Sequence, residues 1–510
     1  MRQTRIRQRG IRVSSWVAVV ALGLTFALSM SGCGPGGGLS DRYVAEKMAW
    51  RAQTLSRAMV ENPDMATDEM RAALRSAYRE IVRTFPPPAD SSPSDIELDV
   101  ARISGMSRLR LALLMQQSGE GDRAADLYAS VVDSYGFSRA MALEAATRLA
   151  STYEVAGEYE EAASVLWDIA ERWPPAPARD AAPDPRVIEA PSRAAADIAA
   201  SGVGRSDDAL RRARDYYRGV SDEWSGTSVA AAALGALAES YELGGDWAGA
   251  IETYERLDRE YGTTENRASL WVKLGDLYSS GPGDNATAAE YYRKVQSTYP
   301  DEPEGGAAAI SLARFDIADG RYAAARERLE SVASRFAEEE ALAATAVQHM
   351  AMSYELEGKP DAAIGRYGEL AASYGTSLYG LAAPLRVVEI YEELGEVEAA
   401  ESALQRAVTQ YERIIRDYSA SPAELAARNY LITAKERQKD WPRVAELLLE
   451  TASMSPEDPA SISMMFQAAA IYEGRLADAE AAVEVLRGIA SRYEGTPPGD
   501  EAARRLEEME

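Results

Sequence analysis

One spacing restricts what this chain can fold into more than any other feature: a small residue returns every 37 or 38 positions. One pattern recurs around it. A turn residue stands five positions before it, a large residue three before, a bulky one four after, and an aromatic seven beyond that. Gly157, Tyr159, Ala162, Leu166 and Trp173 form one instance, and Gly245, Trp247, Ala250, Tyr254 and Tyr261 another. Gly320, Tyr322, Ala325, Leu329 and Phe336 repeat it, as do Gly358, Pro360, Ala363, Tyr367 and Tyr374. The mark falls at 124, 162, 213, 250, 288, 325, 363, 400, 444 and 482, so the gaps are 38, 51, 37, 38, 37, 38, 37, 44 and 38. The 51 is longer by 13 and contains the proline-rich stretch Pro174 to Pro191. The 44 is longer by 7, and Tyr411 is followed seven residues on by Tyr418, as if one helix had gained a heptad.

A period of this length marks a supersecondary unit that cannot bury its apolar side alone and must stack on its neighbours. The residue types fit two antiparallel helices. Alanine at the mark lets the second helix approach the first closely, and the residue four later lies on the same face and fills the groove. Glycine supplies the tight turn between them. The abundance of alanine, the low content of six Phe and the 27% of charged residues suit short amphipathic helices better than sheets.

Trp271, Leu274, Gly275 and Tyr278, followed by Ala288, Tyr292 and Pro300, match the whole consensus of the tetratricopeptide repeat, which this chain resembles. Leu149, Ala150, Tyr153, Ala162 and Pro174 fit it too, as do Leu237, Ala238, Tyr241 and Ala250. The resemblance implies an all-α fold, a right-handed superhelical solenoid of about 10–11 such hairpins. The period exceeds the usual one by three or four residues, a variant similar to envelope lipoproteins such as the D subunit of the barrel-assembly machinery and the coordinator of the Tol–Pal system. The expected boundaries are a degenerate hairpin over 42–86, a proline-rich insertion at 87–96, repeats over 97–173, a second insertion at 174–192, repeats over 193–496 and a capping helix over 497–510.

The N-terminus is an address. Five arginines (Arg2, Arg5, Arg7, Arg9, Arg12) precede an almost purely apolar run of 15 residues, Trp16 to Met30, and then small residues. That is a secretory signal, too short for a comfortable membrane span of about 20 residues. Met30-Ser31-Gly32-Cys33 resembles a bacterial lipobox, with Met30 in place of the usual Leu. The resemblance implies a signal peptide over 1–32, a lipid on Cys33 and a flexible tether over 33–41. Gly34, where an Asp often marks inner-membrane retention, implies the outer membrane, facing the periplasm.

Charge and chemistry exclude several classes. Net charge is −26, and beyond the first 33 residues 50 basic stand against 81 acidic residues, so a polyphosphate partner is repelled and nucleic acid is not expected. One cysteine, Cys33, and one histidine, His349, leave no disulfide, no metal site and no histidine-based catalysis to expect. Phosphate-binding loops, nucleophile elbows, zinc-protease helices and calcium loops are absent from the sequence. Neither an enzyme nor a bound cofactor is expected. Glu160-Glu161 and Glu338 to Glu340 are expected to be solubilising charge, and His349 a packing or surface residue.

In the tetratricopeptide family the first helix of each hairpin lines the groove, around its tyrosine. Those positions here are Glu154, Glu239, Glu242, Asp276, Glu355, Glu389, Glu392 and Glu393. Helical geometry aligns them into an acidic stripe suited to Lys- or Arg-bearing segments. The expected function is a membrane-anchored scaffold for other envelope proteins in outer-membrane, secretion or cell-wall assembly. The alternative is a SusD-like lipoprotein that captures a glycan.

Overall fold

In a computed structural model the described residues are 39–61, 67–87, 94–202, 206–263, 266–456 and 458–509. The signal peptide, Cys33 and most of the tether lie outside them. The described residues form 23 helices and no strand, an all-α fold. They divide into two compact units, Met1–Asp246 and Trp247–Glu510. The sequence, read as one run over 193–496, gave no sign of that division.

The first unit holds α1 (Leu39–Glu61), α2 (Asp68–Thr84), α3 (Asp95–Gln116), α4 (Gly121–Ser134), α5 (Arg139–Ala156), α6 (Tyr159–Arg172), α7 (Pro185–Ala200), α8 (Ser206–Glu223) and α9 (Ser228–Leu243). The second holds α10 (Trp247–Tyr261), α11 (Arg267–Ser280), α12 (Asn285–Thr298), α13 (Pro303–Ala318), α14 (Tyr322–Arg335), α15 (Glu340–Leu356), α16 (Pro360–Ser373) and α17 (Leu378–Glu393). It continues with α18 (Val397–Asp417), α19 (Pro422–Arg437), α20 (Trp441–Met454), α21 (Pro459–Gly474), α22 (Ala479–Arg492) and α23 (Pro497–Met509).

The register marks occupy the tightest places. Ala124, Ala162, Ala213, Ala250, Ala288, Ala325, Ala363, Val444 and Ala482 are all 0% exposed, and Ala400 is 6%. The residues four later, among them Leu166, Tyr217, Tyr292, Leu329, Tyr367 and Leu486, are buried as well. On the first helix the matching demand is for no side chain: a Cβ on Gly275 would lie 2.6 Å from the Tyr292 ring. Removing both surfaces from water while keeping close packing drives each helix onto the next.

The turn from first to second helix repeats too. Gly157 is left-handed (φ 79°), its N–H donates to Glu154 O, and Glu158 N–H reaches back to Tyr153 O at 2.9 Å. This closing bond recurs from Arg321 to Asp316 (2.7 Å), Lys359 to Tyr354 (2.9 Å), Glu396 to Tyr391 (2.9 Å) and Asp440 to Lys435 (3.0 Å). It satisfies carbonyls that a helix end otherwise leaves open, and it needs a left-handed residue, hence the glycines. Two turns manage without glycine, at Lys439 (φ 57°) and Ala477 (φ 54°).

Both irregular gaps have a structural counterpart. α18 has 21 residues where α16 has 14, so the extra heptad is two more turns of one helix. Tyr411 is fully buried and donates to Leu381 O at 2.8 Å, while Tyr418 is 49% exposed. The second proline-rich segment is shorter than 174–192. α7 begins at Pro185 with Asp184 accepting from Arg186 N, because proline is well placed in a first turn that lacks a hydrogen-bond partner anyway. The loop before it is pinned by Asp184 N to Pro175 O (2.7 Å) and by Arg179, which donates to Glu223 O and Ser225 O at 3.2 Å each. Near the N-terminus α1 packs on α2, and Leu74, Tyr78 and Phe85 are buried.

Candidate functional site: a charged ladder on the first helices

The first helices present their polar side chains beside the tyrosine that ends each buried stripe. In the second unit α15, α17 and α19 are successive first helices, packed side by side. Glu355 on α15 is mostly covered, its side chain 18% exposed. Its carboxylate accepts from the Tyr367 hydroxyl of α16 and from Arg386 of α17, whose Nε lies at 3.0 Å. Arg386 also donates to Glu389 at 3.1 Å and Glu393 at 3.0 Å. Arg437 of α19 donates to Glu389 at 2.7 Å and to Glu392 at 2.9 Å. Four carboxylates and two guanidiniums thus form one ladder across three helices.

Its electrostatics follow from the geometry. The hydrogen bond to Glu355 holds the Arg386 guanidinium more firmly protonated than usual. Burial, and then the same carboxylate, push the Tyr367 hydroxyl well above its ordinary range. The cluster keeps a surplus of two negative charges over its own arginines.

The remaining expected positions are placed as follows. Asp276 on α11 accepts from the Tyr292 hydroxyl at 2.6 Å and remains exposed. In the first unit Glu154 on α5 is half-buried and pairs with Arg193 of α7 at 2.6 Å. Glu239 is exposed and Glu242 half-buried on α9, flanking Tyr241. Arg214 and Arg218 lie 4.5 Å and 5.9 Å from the centre of that ring.

The stripe expected from the sequence is therefore not bare acid. Arg193, Arg386 and Arg437 interleave with it, and the spacing of the carboxylates alone does not disclose them. One signal was available: Arg386 stands three residues before Glu389 and seven before Glu393, both on its own helical face. Arg437 was findable by register, since it precedes Val444 by seven residues as Glu393 precedes Ala400.

A separate acid lies beside Glu154. Asp197 on α7 is 8% exposed and its Oδ2 has no hydrogen-bond partner among the described residues. Burial, then the charge of Glu154, raise its carboxyl to about 6, against the pull of Arg193. His349 on α15 is half-buried, with Nδ1 2.9 Å from Thr345 O, and burial lowers its affinity for a proton. Among the described residues no group of His, Cys, Asp and Glu is arranged to hold a metal ion. Nor is any described helix long and apolar enough to cross a membrane.

With the geometry in view, the family model of the tetratricopeptide repeat matches residues 233–266 and again residues 270–302. The chain carries tetratricopeptide repeats there, and such repeats mediate protein–protein interactions. No curated protein matches the sequence. Among solved structures, yeast Tom70 is 11% identical, with 91% of this chain and 96% of that one covered at a TM-score of 0.37. The tetratricopeptide-like repeats of a putative kinesin light chain from Podosopora anserina are 21% identical, covering 38% and 99% at 0.25. The C-terminal part of a repeat-containing protein from Cytophaga hutchinsonii is 9% identical, covering 51% and 95% at 0.31. Scores this low carry no inference about function.

Proposed function

We propose that this chain is a lipid-anchored repeat scaffold of the bacterial envelope, held by a lipid on Cys33 at the outer membrane and binding other envelope proteins through their basic segments. The observation that carries the binding part is the ladder of Glu355, Glu389, Glu392 and Glu393, which keeps carboxylates in excess after Arg386 and Arg437 are counted. A Lys or Arg side chain of a partner exchanges with Arg437 or Arg386 on the same carboxylates, so recognition proceeds without exposing a buried, unpaired charge. The signal-like N-terminus and its solitary cysteine support the anchor. Helical hairpins take up most of the described residues, which supports the scaffold reading.

The test is a photo-crosslinking residue placed at Glu393, 63% exposed at the edge of the ladder, in the membrane-bound full chain, with a second at Glu158 in the turn before α6 as control. Envelope proteins joined at position 393 and not at 158, at sites flanked by Lys or Arg, are the expected result. Retention of glycan without protein adducts overturns the reading in favour of glycan capture.

A further inference from the structure

Helix α1 buries little more than Ala45 and Ala52, at 0% and 1% exposure. On the opposite side Tyr43 is 64% exposed and Trp50 66%. They stand seven residues apart, two helical turns, and so share one face. Large aromatics directed away from a core are unusual for a surface helix, and these two have bases around them. Lys47 lies between them, with Nζ 6.0 Å from the centre of the Tyr43 ring, and so does Glu46, whose charge is met by Arg42 at 2.8 Å. Arg57 follows on the same side, exposed.

The aromatic face continues into a groove of about 470 Å³ between α1 and α3. Val60 (76% exposed), Met106 (43%) and Tyr78 supply its apolar wall, and Arg57, Arg102 and Arg110 its charge. No carboxylate lines it. Arg102 is occupied by Asp99 at 3.1 Å. Among the described residues Arg51, Arg57 and Arg110 have neither an ion pair nor a hydrogen bond. In a chain of net charge −26 that groove is cationic and apolar together.

We infer that this end of the first unit lies on an anionic lipid surface. Tyr43 and Trp50 enter the headgroup region, where amphipathic rings are most stable, and Arg57 and Arg110 meet lipid phosphates. The placement rests on the lipid anchor proposed above. Tyr43 follows Cys33 by ten residues, a segment that spans at most ~35 Å even when extended, so an acylated Cys33 holds α1 against the bilayer.

Hydrogen exchange read by mass spectrometry tests this on the full chain, reconstituted in vesicles of phosphatidylcholine alone or with about 30% phosphatidylglycerol. Peptides over 43–57 are expected to exchange at least about threefold more slowly on the anionic vesicles, with peptides over 139–156 unchanged. Tyr43→Ser with Trp50→Ser, and separately Arg57→Gln with Arg110→Gln, are expected to abolish that difference. All four side chains are exposed or line an open groove, and unchanged exchange over 139–156 verifies that the variants fold. Equal exchange on neutral and anionic vesicles overturns the inference, as does protection that survives both pairs of substitutions. Protection that grows with protein concentration in detergent, without vesicles, overturns it in favour of contact between copies. The same digest weighs the peptide carrying Cys33: an unacylated mass refutes the anchor, whereas the vesicle difference judges the α1 face by itself.

Discussion

Arg386→Ala removes the centre of the ladder, and its cost can be worked from the contacts. Glu355 is 18% exposed at the side chain and loses its guanidinium partner while keeping Tyr367. A charge-assisted hydrogen bond to a covered carboxylate contributes roughly 1–2 kcal/mol here, less than for a fully dry pair. Glu389 is 36% exposed and retains Arg437, and Glu393 is 63% exposed, so each adds only a few tenths, about 0.5 kcal/mol together. The total is about 2 kcal/mol, or roughly 30-fold faster opening of α15 and α17. A repeat protein need not unfold in one step, so hydrogen exchange over Glu340–Leu356 and Leu378–Glu393 is a better assay than a melting curve. Combined with Glu355→Ala the two losses should fall short of additive by ~1 kcal/mol or more, and Arg386→Lys should recover only part, since one ammonium cannot bridge three carboxylates. A change below about threefold, or strict additivity, would show that the ladder is a set of independent surface pairs.

Two further outcomes are expected. Ala477→Gly relieves a left-handed alanine at the turn before α22 and should slow local opening by about 0.5–1 kcal/mol, whereas Gly157→Ala at the corresponding turn should cost about as much; hydrogen exchange at the two turns checks both signs. Asp197, raised to about 6, favours its neutral form in the folded state, so its contribution is full below the ordinary carboxylate range and is lost as pH rises through about 6. Denaturation of the first unit should therefore become easier between ~pH 4 and ~pH 7 by roughly 1–2 kcal/mol after screening by water, and Asp197→Asn should flatten that slope. A slope unchanged by Asp197→Asn would remove the buried carboxyl from the account.

What the sequence disclosed was what sterics dictates. The alanine marks were legible because only a small side chain fits where two helices touch, and all ten marked positions are buried. The heptad in α18 was legible because seven residues keep the same helical face. Pro185 shows how a true signal is masked by a stronger one: Asp184-Pro185 is a good helix start, but it lies inside a proline-rich stretch that reads as an insertion. Lys439 and Ala477 hide their turns, because their left-handed conformation is imposed by the surrounding hairpin rather than by a glycine. The ladder was half legible. Glu355, Glu389, Glu392 and Glu393 could be placed from register, yet the bond from Arg437 to Glu389 joins residues 48 apart and depends on how α17 and α19 pack.

The claim that partners compete with the chain's own arginines for these carboxylates is tested most directly by titrating a lysine-rich peptide into three full-length proteins: wild type, Glu389→Gln with Glu392→Gln, and Arg437→Ala. Calorimetry at ~50 mM and ~300 mM salt separates the electrostatic part. The account predicts that Arg437→Ala binds the peptide at least about threefold more tightly than wild type and the double Gln variant at least about threefold more weakly, with both differences shrinking at high salt. Binding that is unchanged by Arg437→Ala, or weakened by it, contradicts the account.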